Sequence, residues 1–356
     1  MGLSHRAMSS DPAVSVIIST RDRAHYLPEV LRTLAAQDCE VPFEIVVIDN
    51  GSTDGTAELL REWRGRDSRI RTASEPRAGL SRGKNAGIRM SRAPLLLFTD
   101  DDVRVHPRWV ASYYELFSRN GGEAMLAGGP IIPIADDLGP WPEWLAESAL
   151  ADAGMLDHRQ QRELQRFEYV WGGNMAVPRA LFDRFGCWDE SAGLQGQGRV
   201  TREESEFFED TELQDRVRKA GGATWFCSQA VVHHRVGRGS VTPRRIFSTA
   251  FARGRNEFWQ QRLRVWQEVE RVPRRNALEA MSALTSNIVR WGIWLALFRV
   301  WNRRGLFERA RRAAFESGVA LDSLRAGRKS KRLFLSVAKI ALPARSLLLR
   351  LTPDVA

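Results

Sequence analysis

Short, strongly apolar runs alternate with stretches of helical apolar spacing through the first hundred positions, and few folds accept such a chain. Val14–Thr20, Phe43–Asp49 and Pro94–Thr99 read as strands buried on both faces. Between them, Tyr26–Gln37 carries Leu27, Val30, Leu31 and Leu34 on one helical face. Thr56–Arg64 and Leu80–Met90 also read as helices, and Ile70–Ala73 as a weaker strand. This order predicts an α/β fold with a mostly parallel sheet flanked by helices.

Such sheets bind ligands beyond the carboxyl ends of their strands. The residues there are Ser19 and Thr20, then Asp49 and Asn50, then Asp100-Asp101-Asp102. Gly51–Gly55 is a turn and helix start, with Thr53 or Asp54 as cap. No Gly-x-Gly-x-x-Gly follows the first strand and no Gly-x-x-x-x-Gly-Lys-Ser/Thr occurs, so the dinucleotide and P-loop fingerprints are absent. The run Ser19-Thr20-Arg21-Asp22-Arg23 also fails to fit the glycine-rich phosphate loop of a nucleotidyltransferase.

Three adjacent carboxylates repel one another unless a cation or solvent relieves them. In extended backbone Asp100 and Asp102 project to the same side, where they can share a hard divalent ion, Mn²⁺ or Mg²⁺, with substrate phosphates. The same triplet also reads as a solvated acidic turn or as the cap of a helix near Pro107.

Six segments in order carry a resemblance. They are Val46–Thr56 after the first strand, Gly79–Gly87, Leu97–Asp102, Trp171–Val177, Phe185–Glu190 and Glu209–Leu213, closed by Val231–His234. Over residues 13–240 the chain resembles the family 2 glycosyltransferases, inverting enzymes of the GT-A fold (Rossmann-like) that use nucleotide-sugar donors. The resemblance implies a nucleotide-binding half over 13–105 and an acceptor half over 106–240. Residues 1–12 read as disordered, and 241–356 as a basic amphipathic helical extension.

The resemblance also implies roles. Asp49 would meet the nucleobase, with Ser19 and Thr20 in the same pocket; an Asx turn is the structural alternative. Arg82 and Lys84 would face the diphosphate; Lys84 stands where the family carries Arg, so it offers a point charge without the bidentate fork. Asp100 and Asp101 would contact the nucleotide, and Asp100, Asp102 and His234, preferred over His233, would hold the metal. Trp171, Gly173 and Asn174 would line the sugar. An inverting transfer needs a base opposite the leaving group. Asp210 is the expected base and Glu209 its neighbour for acceptor orientation, although Phe208 replaces the family's Gly before the pair. The loop Gly193–Gly198 with Arg199 and Arg202 would order over the donor, and Glu203-Glu204-Ser205-Glu206 adds negative charge near the base.

Charge separates the two parts. The net charge is +10 overall, but residues 241–356 alone sum to +16 and the rest to −6. In the tail, Leu284, Ile288, Trp291, Leu295, Phe298 and Trp301 fall near helical spacing with arginines beside them, and a second basic stretch spans Arg328–Leu351. Such stripes lie on anionic membrane surfaces, or pack on one another or on a second copy of the chain. The intact acidic motifs argue against nucleic acid and against an inactive binding module. No apolar run follows Met1–Arg6 and no stretch is long enough to span a bilayer, so neither signal peptide nor transmembrane segment is predicted. Cys39, Cys187 and Cys227 have no metal or redox spacing, which predicts reduced thiols in the cytoplasm. The expected protein is a cytoplasmic glycosyltransferase of cell-surface polysaccharide synthesis, peripheral at the inner membrane face. It would move sugar from a UDP-sugar to a hydroxyl of a glycan or lipid-linked acceptor.

Overall fold

A computed structural model describes residues 11–120, 125–135, 140–145, 147–165, 168–190, 209–237, 241–251, 277–301 and 304–325. The strands are β1 (Val14–Thr20), β2 (Phe43–Asp49), β3 (Ile70–Ser74), β4 (Leu95–Thr99), β5 (Val103–Val105), β6 (Met125–Gly128), β7 (Ile131–Ala135), β8 (Arg162–Glu163), β9 (Asn174–Pro178), β10 (Ala223–Phe226) and β11 (Val232–Val236). The helices used below are α1 (Leu27–Ala35), α2 (Thr56–Arg66), α3 (Leu80–Met90), α4 (Trp109–Asn120), α5 (Arg179–Phe185), α6 (Glu209–Lys219), α7 (Ala277–Trp301) and α8 (Arg304–Arg325).

Chain contacts divide the protein into two compact units. The first holds residues up to Ile132 together with Leu156–Arg235; the second holds Pro133–Met155 and everything from Val236. Charge placed the division at 240. Segment 133–155 instead keeps company with the C-terminal helices, because its apolar Trp144, Leu145 and Ala149 join their core.

In the first unit an eight-stranded sheet runs β3-β2-β1-β4-β9-β6-β10-β8. β3, β2, β1 and β4 are mutually parallel, β9 lies antiparallel to β4 and β6, and β10 is parallel to β6. A second sheet has the order β5-β11-β7. This is an α/β architecture built on a mostly parallel sheet, as the alternation of strands and helices predicts. β1 and β2 are buried almost throughout, as their unbroken apolar runs require. α1 buries Leu27, Val30, Leu31 and Leu34 against them, with a proline in its first turn.

The second unit is helical. Residues 243–251 are helical, and Phe247 and Phe251 pack with Leu284, Trp291 and Leu295 of α7 and Phe307 of α8. The described part of the expected tail stripe, Leu284, Ile288, Trp291 and Leu295, is therefore an internal face, and the side chains of Phe298 and Trp301 lie outside the described residues. Val289 and Ile293 are the large apolar residues left exposed among the described ones. Asp152, its side chain fully buried, pairs with Arg311 at 2.7 Å and ties the 3₁₀ turn Glu147–Ala153 to α8. No described helix is long and apolar enough to cross a membrane.

Candidate active site

The site grows from the way α3 sits on β1. A methyl group at Gly83 would lie 1.9 Å from Ser19 Oγ, and one at Gly87 would lie 2.3 Å from Ile17 Cγ2. Only glycine permits this approach. The close contact carries Lys84, 5% exposed, to the carboxyl end of the sheet, with its Nζ 5.0 Å from the centre of the Trp188 ring.

Beyond β4 the three aspartates separate. Asp101 turns inward: its Oδ2 accepts the Thr20 hydroxyl at 2.6 Å, and its Oδ1 lies 2.7 Å from Arg23 Nε. Burial pushes its carboxyl up to about 7, although Arg23 pulls the other way. Asp102 pairs with Arg23 Nη2 through Oδ2, and its Oδ1 is 3.6 Å from His234 Nε2. Burial opposes its ionisation, but His234 and Arg23 outweigh burial and hold the carboxyl below its usual range. His234 is raised in turn, because Asp102 overcomes its desolvation. Its neighbour His233 stands opposite Arg104 across β11–β5 and is lowered by burial. Of the two, His234 is thus the one facing the aspartates. Burial, then the Asp102 charge, raises Asp100.

A second glycine contact closes the site from the far side. In the turn before β9, a methyl at Gly173 would lie 2.3 Å from Asp100 Oδ2, and one at Gly172 would lie 2.6 Å from Lys84 Nζ and 3.7 Å from Asp210 Oδ2. Bare backbone is what lets Asp100, Lys84 and Asp210 meet under this turn. Asp210, near the start of α6 and 9% exposed, accepts the Gly172 N–H at Oδ2 and the Thr211 N–H at Oδ1, both at 2.8 Å. Gln214, one turn along, bonds both the N–H and the carbonyl of Val170 and so locks α6 to this segment.

Residues 15–186 match the family model for Glycosyl transferase family 2. This segment is a family 2 glycosyltransferase domain. Asp210 and His234 lie past the matched segment but within the same compact unit. Validoxylamine A glucosyltransferase of Streptomyces hygroscopicus subsp. jinggangensis is 29% identical over 208 residues, 52% of this chain and 49% of its own length. The glucosyl-dolichyl phosphate glucuronosyltransferase of Haloferax volcanii is 22% identical over 194 residues, 54% and 61% of the two chains. The chain spans about half the length of the validoxylamine A glucosyltransferases it matches. A mannosyltransferase from Pyrobaculum calidifontis, solved with GDP-mannose and Mn²⁺, aligns over 97% of this chain and 86% of its own at 17% identity, TM-score 0.48.

Within the family 2 domain some expected residues converge and others do not. Asp49 Oδ1 accepts the Ser52 N–H at 2.9 Å, three positions on, and this bond holds the carboxylate at the end of β2. Ser19 lies under α3, and Thr20, 2% exposed, is committed to Asp101. Asp101 is an internal anchor rather than a nucleotide contact. Arg82 donates to Ala78 O at 2.8 Å and lies 3.4 Å from Glu190, directed toward that carboxylate.

Asn174 overturns its expected sugar contact. It is fully buried. Its Oδ1 accepts Trp109 Nε1 and the Tyr113 hydroxyl, both at 2.8 Å, and its Nδ2 donates to Pro130 O and Ala230 O. Every hydrogen-bonding position of the amide is filled by protein. Trp171 is half-buried against the core. Trp188 is 2% exposed beside Phe98 and Phe182, and Trp144 is buried in the second unit. Glu209 opens α6, but its side chain, like Gly193–Gly198, Arg199, Arg202, Glu203–Glu206, Phe208 and Arg328–Leu351, lies outside the described residues.

Arg23 is the residue that sequence reasoning missed. It stands two positions past Arg21 with nothing local to distinguish them; the turn at Asp22, φ +53°, decides which arginine meets the aspartates. Among the described residues no three acidic, histidine or cysteine side chains form a ready metal cage. The donor set at Asp102, His234 and the adjacent Asp100 nonetheless has the chemistry for Mg²⁺ or Mn²⁺: carboxylate oxygens with one imidazole.

Proposed function

We propose that the chain is a metal-dependent inverting glycosyltransferase. It would move a sugar from a nucleotide-sugar, with UDP as the expected nucleotide, to a hydroxyl of a glycan or lipid-linked acceptor. The observation that carries this is the meeting of Asp100, Lys84 and Asp210 under the Gly172–Gly173 turn, at the carboxyl end of a sheet whose family 2 membership rests on independent grounds.

In this reading Asp49, oriented by its own turn, accepts the imide N–H of uracil. Lys84 faces the diphosphate as a point charge. Asp102 and His234 hold the metal with Asp100 alongside; when bound, the ion neutralises charge gathering on the leaving diphosphate. Asp210 takes the proton of the acceptor hydroxyl as that oxygen bonds to the anomeric carbon. The bond from that carbon to the diphosphate breaks, and its electron pair leaves with the diphosphate. The Gly172 N–H holds Asp210 in register for this, and Glu209 orients the acceptor.

The first unit would perform the transfer, and the second would serve the acceptor side. The exposed Val289 and Ile293 with Arg290 on α7, and the +16 charge of residues 241–356, support contact with the anionic inner face of a membrane. The glucosyl-dolichyl phosphate in one relative's name supports a lipid-linked acceptor, and cell-surface polysaccharide synthesis is the role that would use one.

Calorimetric titration of UDP with Mn²⁺, then with EDTA, tests the donor half on wild type and Asp102→Asn. Binding that requires both the metal and Asp102 is expected. UDP binding indifferent to metal and to Asp102 would overturn the metal assignment. No binding of any nucleoside diphosphate would overturn the donor assignment.

A further inference from the structure

We infer that Arg23 is the built-in counter-cation of the metal site, so that its guanidinium and the divalent ion occupy Asp102 in turn. The inference rests on the metal reading above and adds a positioning residue to it.

Arg23 is held in place from three sides. The two loops that follow β1 and β2 are laced together: Asp22 Oδ1 accepts the Thr53 N–H at 2.6 Å, Ser52 Oγ accepts the Asp22 N–H, and Asp54 Oδ2 accepts the Ala24 N–H, both at 3.0 Å. The guanidinium lies 4.5 Å from the centre of the Tyr26 ring, which also has Arg235 at 5.0 Å and the His25 ring at 4.0 Å. Its fork then spans two carboxylates, Nε on Asp101 and Nη2 on Asp102. With His234 beside Oδ1, both oxygens of Asp102 have cationic or hydrogen-bonding company.

An ion bound to Asp102 must displace Nη2 or accept a guanidinium a few ångströms away. Asp101 and Tyr26 keep their hold on Arg23 in either case, so the exchange is local and the sheet end stays intact. A unit charge about 5 Å from a dication shifts affinity about tenfold even under water-like screening. Arg23 therefore keeps metal affinity low until a diphosphate brings compensating negative charge. Metal and nucleotide then bind with positive coupling, and that coupling depends on Arg23.

The test is Mn²⁺ titration followed by the electron paramagnetic resonance of the unbound ion, with and without UDP, on wild type, Arg23→Gln and Arg23→Lys. Without UDP, Arg23→Gln should bind Mn²⁺ about tenfold tighter than wild type, and UDP should improve its Mn²⁺ affinity by a smaller factor than in wild type. Arg23→Lys keeps the charge but cannot span both carboxylates, and should fall between the two. It carries the test alone if Arg23→Gln fails to fold. Equal or weaker Mn²⁺ binding by the variants, with wild type binding Mn²⁺ in the presence of UDP, overturns the role of Arg23 and leaves the metal reading standing. No Mn²⁺ binding by wild type even with UDP removes the metal reading, and this inference with it.

Discussion

Gly172 donates its backbone N–H to Asp210 Oδ2 at 2.8 Å, and this bond sets the orientation of the proposed base. Asparagine is nearly isosteric and still offers a carbonyl oxygen to that N–H, but it takes up no proton. Asp210→Asn should therefore keep UDP and Mn²⁺ affinity within about twofold and lower kcat by about 10²–10⁴. Calorimetry alongside a transfer assay separates the two effects. Normal transfer by Asp210→Asn would reassign the base.

Asn174 joins α4, β9 and two carbonyls in the buried interior. Asn174→Ala takes away the partner of Trp109 Nε1 and of the Ala230 carbonyl, while the Tyr113 hydroxyl keeps the backbone carbonyl of residue 174 and Pro130 O keeps the Val232 N–H. Each such group costs about 1–3 kcal/mol, so a loss of at least about 2 kcal/mol in stability is expected. Urea unfolding measures it. The fraction that stays folded should retain the wild-type KM for donor; a raised KM at unchanged stability would return Asn174 to the ligand.

The pair His234–Asp102 should make stability pH-dependent when metal is chelated. The folded pKa of His234 is raised, so its contribution is full below its unfolded value of about 6.5 and is lost as pH rises through the folded value. Asp101 works in the same direction. Its folded carboxyl titrates at about 7, well above an ordinary aspartate, so the folded chain binds that proton more tightly and stability falls as pH climbs to 7. In EDTA the melting temperature should drop from about pH 5 to about pH 8, and it should drop less steeply in His234→Gln. Identical slopes would show that the pair contributes nothing. Mn²⁺ affinity should move the opposite way, rising with pH as the metal competes with protons for the imidazole.

Val289 and Ile293 stand one turn apart on α7 with Arg290 between them, and both are more than half exposed. Replacing both by Asp removes apolar area and adds repulsion at an anionic surface while leaving the packed face of the helix untouched. Cosedimentation with phosphatidylglycerol vesicles should fall at least about fivefold, and binding to zwitterionic vesicles should be weak for both proteins. Undiminished cosedimentation would place the membrane contact elsewhere or remove it.

The secondary structure of the first hundred residues was legible because it is locally encoded. Val14–Thr20 and Phe43–Asp49 need no information beyond their own apolar runs to be buried strands, and the structure has them at those bounds. The Leu80–Met90 helix is equally local, and its Gly83 and Gly87 announce a close approach without saying to what. The aspartate triplet was readable as a site because it follows a buried strand, where the carboxyl end of a parallel sheet collects ligands.

What each polar side chain does was decided only by tertiary structure. A buried Asn must find partners, but its sequence neighbours do not say whether these are sugar hydroxyls or Trp109 and Tyr113, 65 and 61 positions away. Asp100, Asp101 and Asp102 are chemically identical in the sequence. The turn after β4 sends one to Gly173, one inward to Thr20 and one to His234. The charge count likewise separated a basic tail from an acidic body but could not see that residues 133–155 pack with that tail, because net charge carries no record of which apolar faces match. The sequence determines where strands, helices and sheet-end polar groups fall, since periodicity and burial are local properties. The fold decides which of those groups stay available to a ligand, since hydrogen-bond and ion-pair partners come from distant parts of the chain.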